Sequence, residues 1–113
     1  MSYKPRIKRV QSVSNAATIT PNADTDDLVD ITAIAQAFTI AAPTGTATNG
    51  QALVIRIKDN GTARAITWNS AFVAGGVALP STTVISKILT IGFFYNTANS
   101  LNKWQCVASA QEA

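Results

Sequence analysis

The chain has 113 residues, of which 47% are hydrophobic, and this is enough apolar material for one folded domain. It contains one cysteine and no histidine, so a disulfide framework, a Cys-based zinc site and a Ser-His-Asp triad are excluded. Charged side chains make up only 13% of the residues, about half of their share in an average soluble domain, and the net charge is +3. We therefore expect a packing or assembly protein with no catalytic residues rather than an enzyme.

The first 14 residues are predicted to form an extended arm, since Pro5 and scattered polar residues interrupt any helical or strand pattern. The arm carries four positive side chains and no acid, namely Lys4, Arg6, Lys8 and Arg9. We expect these residues to dock on an acidic protein surface. A disordered tail and a phosphate clamp for nucleic acid are the alternatives, and the second is disfavoured because the rest of the chain adds no basic face.

Four aspartates follow the arm, at positions 24, 26, 27 and 30. A calcium loop of the helix–loop–helix type fails here, because its fifth, sixth and twelfth positions would be Leu28, Val29 and Ala35 instead of an oxygen ligand, a glycine and a glutamate. We expect a solvated turn before a strand, with an irregular calcium site as the alternative. The sequence thus predicts no metal and no cofactor.

Residues 15–113 are predicted to form a single β domain of about eight short strands separated by Gly, Pro and Asn turns. β-branched residues such as Val29, Ile31 and Ile34 favour a strand over a helix in the one segment where acids could begin a helix. Strands are expected at 16–20, 28–33, 36–41, 52–58, 63–68, 71–73, 84–95 and 103–108. This spacing is typical of an antiparallel β-sandwich, and the number of strands suits a jelly roll.

The clearest turn signal follows the strand at 52–58, in which leucine and isoleucine alternate with more polar residues. That strand ends at Asp59-Asn60-Gly61-Thr62, and Asn-Gly supplies the positive φ angles that tight turns need. The sequence therefore predicts a hairpin between 52–58 and 63–68.

Two long uncharged stretches, 31–55 and 65–86, contain many Thr, Asn, Gly and Pro residues, so neither is predicted to span a membrane. The basic start is not followed by the apolar run of a secretory signal. We expect synthesis and folding in the cytoplasm.

Trp68 and Trp104 are expected to anchor the core of the sandwich or a subunit interface, and a stacking platform for sugars or bases is the alternative. Cys106 alternates onto the same face as Trp104. It is expected to be a buried, unreactive thiol.

Residues 58–112 contain a series of short motifs that together cover about half of the chain. The motifs are Asn60-Gly-Thr-Ala-Arg64, Ile66-Thr-Trp68-Asn69, Phe72, Leu79-Pro80, Thr82-Thr83, Lys87, Phe94-Tyr95-Asn96 and Lys103-Trp104. Taken together they resemble a small β module that recurs in structural proteins of tailed bacteriophages. Residues 1–50 carry no part of this resemblance.

The resemblance implies a β domain on the virion surface, in a capsid decoration protein, a head fibre, a tail fibre or a baseplate. For a chain of this length it favours a capsid decoration (cement) protein that binds the outside of the assembled head and stabilises it. The implied partners are the major capsid protein and other copies of the chain, as a homotrimer. A tail-fibre or baseplate module that binds a host-surface glycan is the alternative. Within the module, the expected core or interface anchors are Trp68, Phe72, Phe94 and Trp104.

Overall fold

The computed structural model describes residues 9–112, which form nine β-strands and one short 3-10 turn, so the all-β class is confirmed. The elements are β1 (Val10–Val13), β2 (Thr18–Ile19), β3 (Leu28–Ile34), β4 (Phe38–Ile40), β5 (Ala52–Asp59), β6 (Ile66–Trp68), β7 (Phe72–Ala74), β8 (Leu89–Asn96), the 3-10 turn Ala98–Ser100 and β9 (Lys103–Gln111). Each of the eight predicted strands overlaps one of β2 to β9, although β8 begins five residues later than predicted. No helix in this range is long and apolar enough to cross a membrane.

The strands form two sheets, one with the order β1-β3-β5-β8-β9-β7 and one with the order β2-β4-β6. Only the pairs β5–β8 and β8–β9 are antiparallel, and the other described pairs are parallel. From β1 to β6 the chain winds as a coil, and each turn of the coil adds one strand to each sheet. The predicted antiparallel jelly-roll arrangement is therefore wrong. Parallel neighbours come from successive turns of the coil, which strand spacing along the sequence does not reveal.

The hairpin predicted between β5 and β6 does not form, because these strands belong to different sheets. Both edges of β5 are occupied, by β3 on one side and by β8 on the other. The turn itself is present: Gly61 has a φ of 107°, and its N–H donates to Oδ1 of Asp59 over 3.0 Å. It directs the chain across to the second sheet instead of back along β5.

The predicted arm is wrong for its last residues, because Val10–Val13 is a strand at one edge of the larger sheet. It pairs in parallel with residues 28–31 of β3. Its inward positions are half-buried, and Nε2 of Gln11 donates to Oδ2 of Asp26 over 2.6 Å. A short edge strand with two polar residues lacks the apolar alternation that identifies a strand in a sequence. Lys4, Arg6 and Lys8 lie outside the described residues.

The core lies between the two sheets, and most of its side chains are aliphatic. Those of the larger sheet form two rows across its central strands, Val29–Ile55–Ile91 and Ile31–Ile57–Leu89. Those of the smaller sheet are Ile19, Phe38, Ile40 and Ile66. Because the core fills only one side of the larger sheet, the other side of that sheet is free to act as a surface.

Ile55 lies in the central strand β5 and has 0% of its surface exposed. We predict that Ile55→Ala lowers the free energy of unfolding by about 2–5 kcal/mol, because the neighbouring rows cannot fill the cavity it leaves. Equilibrium urea denaturation measures the change. The control is Thr67→Ala at an exposed position of β6, with an expected change below about 1 kcal/mol. Equal changes in the free energy of unfolding for the two substitutions would contradict the expected contribution of Ile55 to the stability of the core.

Candidate interaction surface

The larger sheet has one side turned away from the core, which we call the outer face. Side chains along each strand alternate between the core and this face, and backbone pairing arranges the outward ones in rows. The row through the middle of the sheet is Val10, Leu28, Val54, Gly92 and Ala108. All five residues are exposed or half-buried, and the described residues form no third layer of strands over them.

The neighbouring row on one side carries the most prominent apolar group of the outer face. Phe94 lies between Ala52 and Gln105 in this row, and 49% of its surface is exposed. Val107, 38% exposed, lies in β9 where a bulge shifts the pairing with β8. The apolar surface thus extends from Val10 at one edge of the sheet to Phe94 and Val107 near the other.

The neighbouring row on the other side carries two charges that compensate each other. Arg56 donates to both carboxylate oxygens of Asp30, from Nε over 3.3 Å and from Nη2 over 3.1 Å. These hydrogen bonds and the attraction of the carboxylate raise the pKa of Arg56 above its ordinary value. A shallow groove of about 270 Å³ beside the pair is lined by Leu28, Val54 and Thr90. The centre of the outer face therefore offers apolar contact and little net charge.

Gly92 leaves a depression in the middle row. A Cβ atom placed on it would meet the Cβ of Ala108 at 3.6 Å, which is an ordinary contact, and its φ lies outside the left-handed region. Neither the backbone nor packing within the chain therefore requires a glycine, although a glycine weakens a strand. What the missing side chain provides is open space between Val54 and Ala108, one row from Phe94.

The four predicted anchors do not lie together. Phe72 and Trp104 are buried and Trp68 is half-buried, whereas Phe94 is on the outer face. The aromatic residue of β8 that reaches the core is Phe93, whose ring centroid lies 5.1 Å from that of Phe72 and 5.4 Å from that of Trp68. Phe94 is thus wrong as a core anchor, and as an interface anchor it stays a prediction.

The two tryptophans do not form a stacking platform for sugars or bases. Trp104 is 2% exposed and packs edge-on against Tyr95, with ring centroids 5.1 Å apart. Trp68 donates its Nε1–H to the carbonyl oxygen of Pro80 over 2.7 Å, and its ring contacts the aromatic cluster of the core. The platform hypothesis is wrong for Trp104, because this residue is buried. Only part of the Trp68 ring is accessible.

Cys106 is the buried thiol that the sequence predicts. It lies in β9 with none of its surface exposed. Burial raises the pKa of the thiol above its ordinary value, so the protonated and unreactive form predominates at neutral pH.

The aspartates at 24 and 26 hold the turn before β3 together. Oδ1 of Asp24 accepts from the backbone N–H of Thr46 over 3.0 Å, and Oδ2 of Asp26 accepts from Gln11 and from the N–H of Asn22 over 2.6 and 2.8 Å. Within residues 9–112, no group of three or more His, Cys, Asp or Glu side chains is placed to hold a metal ion.

Arg9 is the predicted docking residue that falls inside the described range, and it is paired within the chain. Its Nε and Nη2 donate to the carboxylate of Asp27 over 3.3 and 3.2 Å, and its Nη1 donates to the carbonyl oxygen of Asp24 over 2.6 Å. The hydrogen bond to Asp27 raises the pKa of Arg9 above its ordinary value. These bonds fix the start of β1 beside an open cleft of about 590 Å³. Arg9 thus holds the start of β1 against the turn before β3, and its role as a docking residue stays a prediction.

Asp59 is a buried carboxylate that the sequence analysis did not single out, although an aspartate directly before Asn-Gly is a turn signal. Its Oδ1 accepts from the backbone N–H groups of Gly61 and Ser86 over 3.0 and 2.9 Å, and its Oδ2 accepts from Oγ1 of Thr83 over 2.8 Å. Burial alone would raise the pKa of Asp59, but these hydrogen bonds and the charge of Arg64 outweigh it and lower the pKa. Asp59 thereby joins the turn after β5 to the loop before β8.

Comparison with known proteins gives no family for this chain. No protein-family model matches the sequence, and neither a curated protein nor a solved structure matches it. The resemblance to a virion module therefore stays a prediction that rests on residues 58–112.

The lowered pKa of Asp59 means that its ionised form stabilises the fold above the ordinary carboxyl pKa of about 4, and that this stability is lost as the pH falls through the folded-state pKa. We predict that Asp59→Asn lowers the free energy of unfolding at neutral pH by about 1–3 kcal/mol and flattens its decline in acid. Chemical denaturation at a series of pH values measures both effects. Glu112→Gln, at an exposed carboxylate just after β9, is the control. An acid decline as steep in Asp59→Asn as in the wild type would contradict this role.

Proposed function

We propose that this protein is a structural protein of a tailed-bacteriophage virion, a capsid decoration protein that binds the outside of the assembled head and stabilises it. The observation that carries the proposal is the outer face, an apolar sheet surface whose two central charges are paired with each other. Surfaces of this kind are typical of proteins that bind other proteins. Parallel strands are commonly covered on both faces, and β1, β3 and β5 beneath this surface are parallel to one another.

The low charge of the folded body supports the same function. Between residues 31 and 102 the charged side chains are Arg56, Lys58, Asp59, Arg64 and Lys87. Asp59 is buried and Arg56 is paired with Asp30, so few unpaired charged side chains of this segment are exposed to solvent. A free monomer depends on scattered surface charge for its solubility. A body this neutral suits a protein that works inside an assembly.

The virion location in the proposal comes from the motifs of residues 58–112. The module they resemble is placed on the virion surface and is often trimeric, and this adds the major capsid protein and a homotrimer to the proposal. In the structure these residues contribute β6 to β9 and the loops between them. They thus supply most of the aromatic cluster as well as Phe94 and Gly92 of the outer face.

Stabilisation of the head would follow from binding alone, without a chemical step. A protein that binds only the assembled lattice shifts the assembly equilibrium toward that lattice by mass action. Several copies joined in one oligomer strengthen weak single contacts through effective concentration. The basic residues Lys4, Arg6 and Lys8 are proposed to contact an acidic surface of the capsid.

We predict that the full-length protein co-sediments with undecorated capsids of the encoding phage at a fixed, saturable copy number, and not with isolated tails. Quantified co-sedimentation over a range of protein concentrations measures the copy number. Capsids that carry bound protein should also tolerate higher temperature, as followed by light scattering. Binding to tails alone would replace the decoration function with the fibre or baseplate alternative, and binding to neither particle would overturn both.

The same assay tests the basic residues without disturbing β1. Removal of residues 1–14 would delete the strand Val10–Val13, so substitutions in the full chain are the better design. Arg6→Ser with Lys8→Ser is expected to weaken capsid binding and reduce its salt dependence. Lys87→Ser with Lys103→Ser removes the same charge from the body and is the control. Equal loss in both pairs would assign the effect to net charge.

The glycan-binding alternative depends on accessible tryptophan. Trp104 is buried and Trp68 is half-buried, so we predict that iodide quenches the tryptophan fluorescence of the folded protein much less than that of the protein in urea. Added host-surface glycan should leave the emission unchanged. Saturable glycan-dependent quenching would contradict this and favour the tail-fibre or baseplate function.

A further inference from the structure

We propose, on the basis of the assembly function above, that a second copy of this chain covers the outer face, with Phe94 of one copy seated over the depression at Gly92 of the other. Shape, charge and size of the face each support this occupant.

The shape of the outer face is self-complementary. Phe94 projects from β8 with about half of its surface exposed, and Gly92 on the same strand leaves a gap beside Ala108. Two residues along a strand place these features roughly 7 Å apart on one face. A surface that carries both a projecting ring and a depression can contact another copy of itself, since the ring of one copy fits the gap of its neighbour.

The charge distribution favours an uncharged partner surface such as the same face of another copy. The central charges, Asp30 and Arg56, already satisfy each other over 3.1 Å. The face therefore holds no unpaired central charge that would select a strongly acidic or basic partner. Two copies of it can meet without placing unpaired like charges opposite each other at the centre. Lys58 lies toward one end of β5, away from the middle row.

The size of the face is sufficient for a weak but specific contact. Five strands about 4.8 Å apart, with about seven residues each rising 3.3 Å, give a patch of roughly 24 Å by 23 Å. Two such patches bury on the order of 1,000 Å² in total when they meet, which is at the lower limit for a specific interface. Self-association is therefore expected to depend on protein concentration.

The second copy also accounts for Gly92. Nothing inside the chain requires a glycine there, since an added Cβ meets only an ordinary contact and the φ is not left-handed. A larger side chain would strengthen β8 through its β-propensity. The ring of a partner copy, placed over Gly92, would explain why this position is a glycine, whereas no contact within the single chain explains it.

Sedimentation velocity of the purified full-length protein, without capsids, tests this inference. We expect the wild type to move from monomer to oligomer as its concentration rises. Phe94→Ser is expected to raise the dissociation constant by about 10- to 100-fold, because it removes an aromatic anchor from the centre of the interface. Gly92→Val is expected to weaken association in the same direction by filling the depression.

Gly92→Val separates this inference from simple misfolding. It adds a β-branched residue to a strand, so its melting temperature at low concentration should equal or exceed that of the wild type. Ile85→Ser is the matched control, since Ile85 is 57% exposed but lies in a turn outside the sheets. It should leave the dissociation constant unchanged.

A wild type that stays monomeric at all concentrations overturns the inference, as does unchanged association in both Phe94→Ser and Gly92→Val. These outcomes are independent of the decoration function, which is read from capsid binding. A monomer that binds capsids saturably would retain the proposed function and assign the outer face to the capsid protein. A self-associating protein that binds no capsid would retain the inference and overturn the proposed function.

Discussion

The burial of β5 is the constraint on which the rest of the structure depends. Its three core-facing side chains, Leu53, Ile55 and Ile57, are at most 2% exposed, and both of its edges are hydrogen-bonded. Because β3 pairs with it in parallel and β8 in antiparallel fashion, β5 is the place where the coil of parallel turns ends and the β8–β9 hairpin begins. The two halves of the larger sheet are held in one layer through this single strand.

The same arrangement explains why an apolar surface is left over. Each turn of the coil sends one strand to the smaller sheet, and these strands cover only the inner side of the larger one. Parallel strands made of apolar residues are commonly packed on both sides. On the outer face, however, no layer of strands from residues 9–112 covers the row from Val10 through Leu28 to Val54. Under the assembly function proposed above, protein from outside the chain supplies the missing layer.

Local features of the structure could be predicted from the sequence, and long-range ones could not. The positions of β2 to β9 follow from apolar alternation and from Gly, Pro and Asn turns, which are properties of neighbouring residues. Strand pairing depends on which segments meet in space. The parallel coil and the absence of a β5–β6 hairpin therefore could not be predicted from local sequence patterns. Phe94 is a different case: the alternation in β8 already placed it opposite Phe93, so its exposure was available from the pattern. The depression at Gly92 was not, since it depends on the residue that faces it in β9.

The position of β7 in the larger sheet ties folding to the progress of synthesis. β7 joins that sheet only through β9, so Phe72 has no strand to pair with until residues 103–111 have been made. At about 5–20 residues per second, the ribosome leaves β7 unpaired for seconds. During that time the rings of Trp68 and Phe72, which end up about 5 Å apart, lack Trp104 as a neighbour. A ribosome that stalls before residue 103 therefore holds a chain with an open aromatic cluster, which is the kind of surface that chaperones bind.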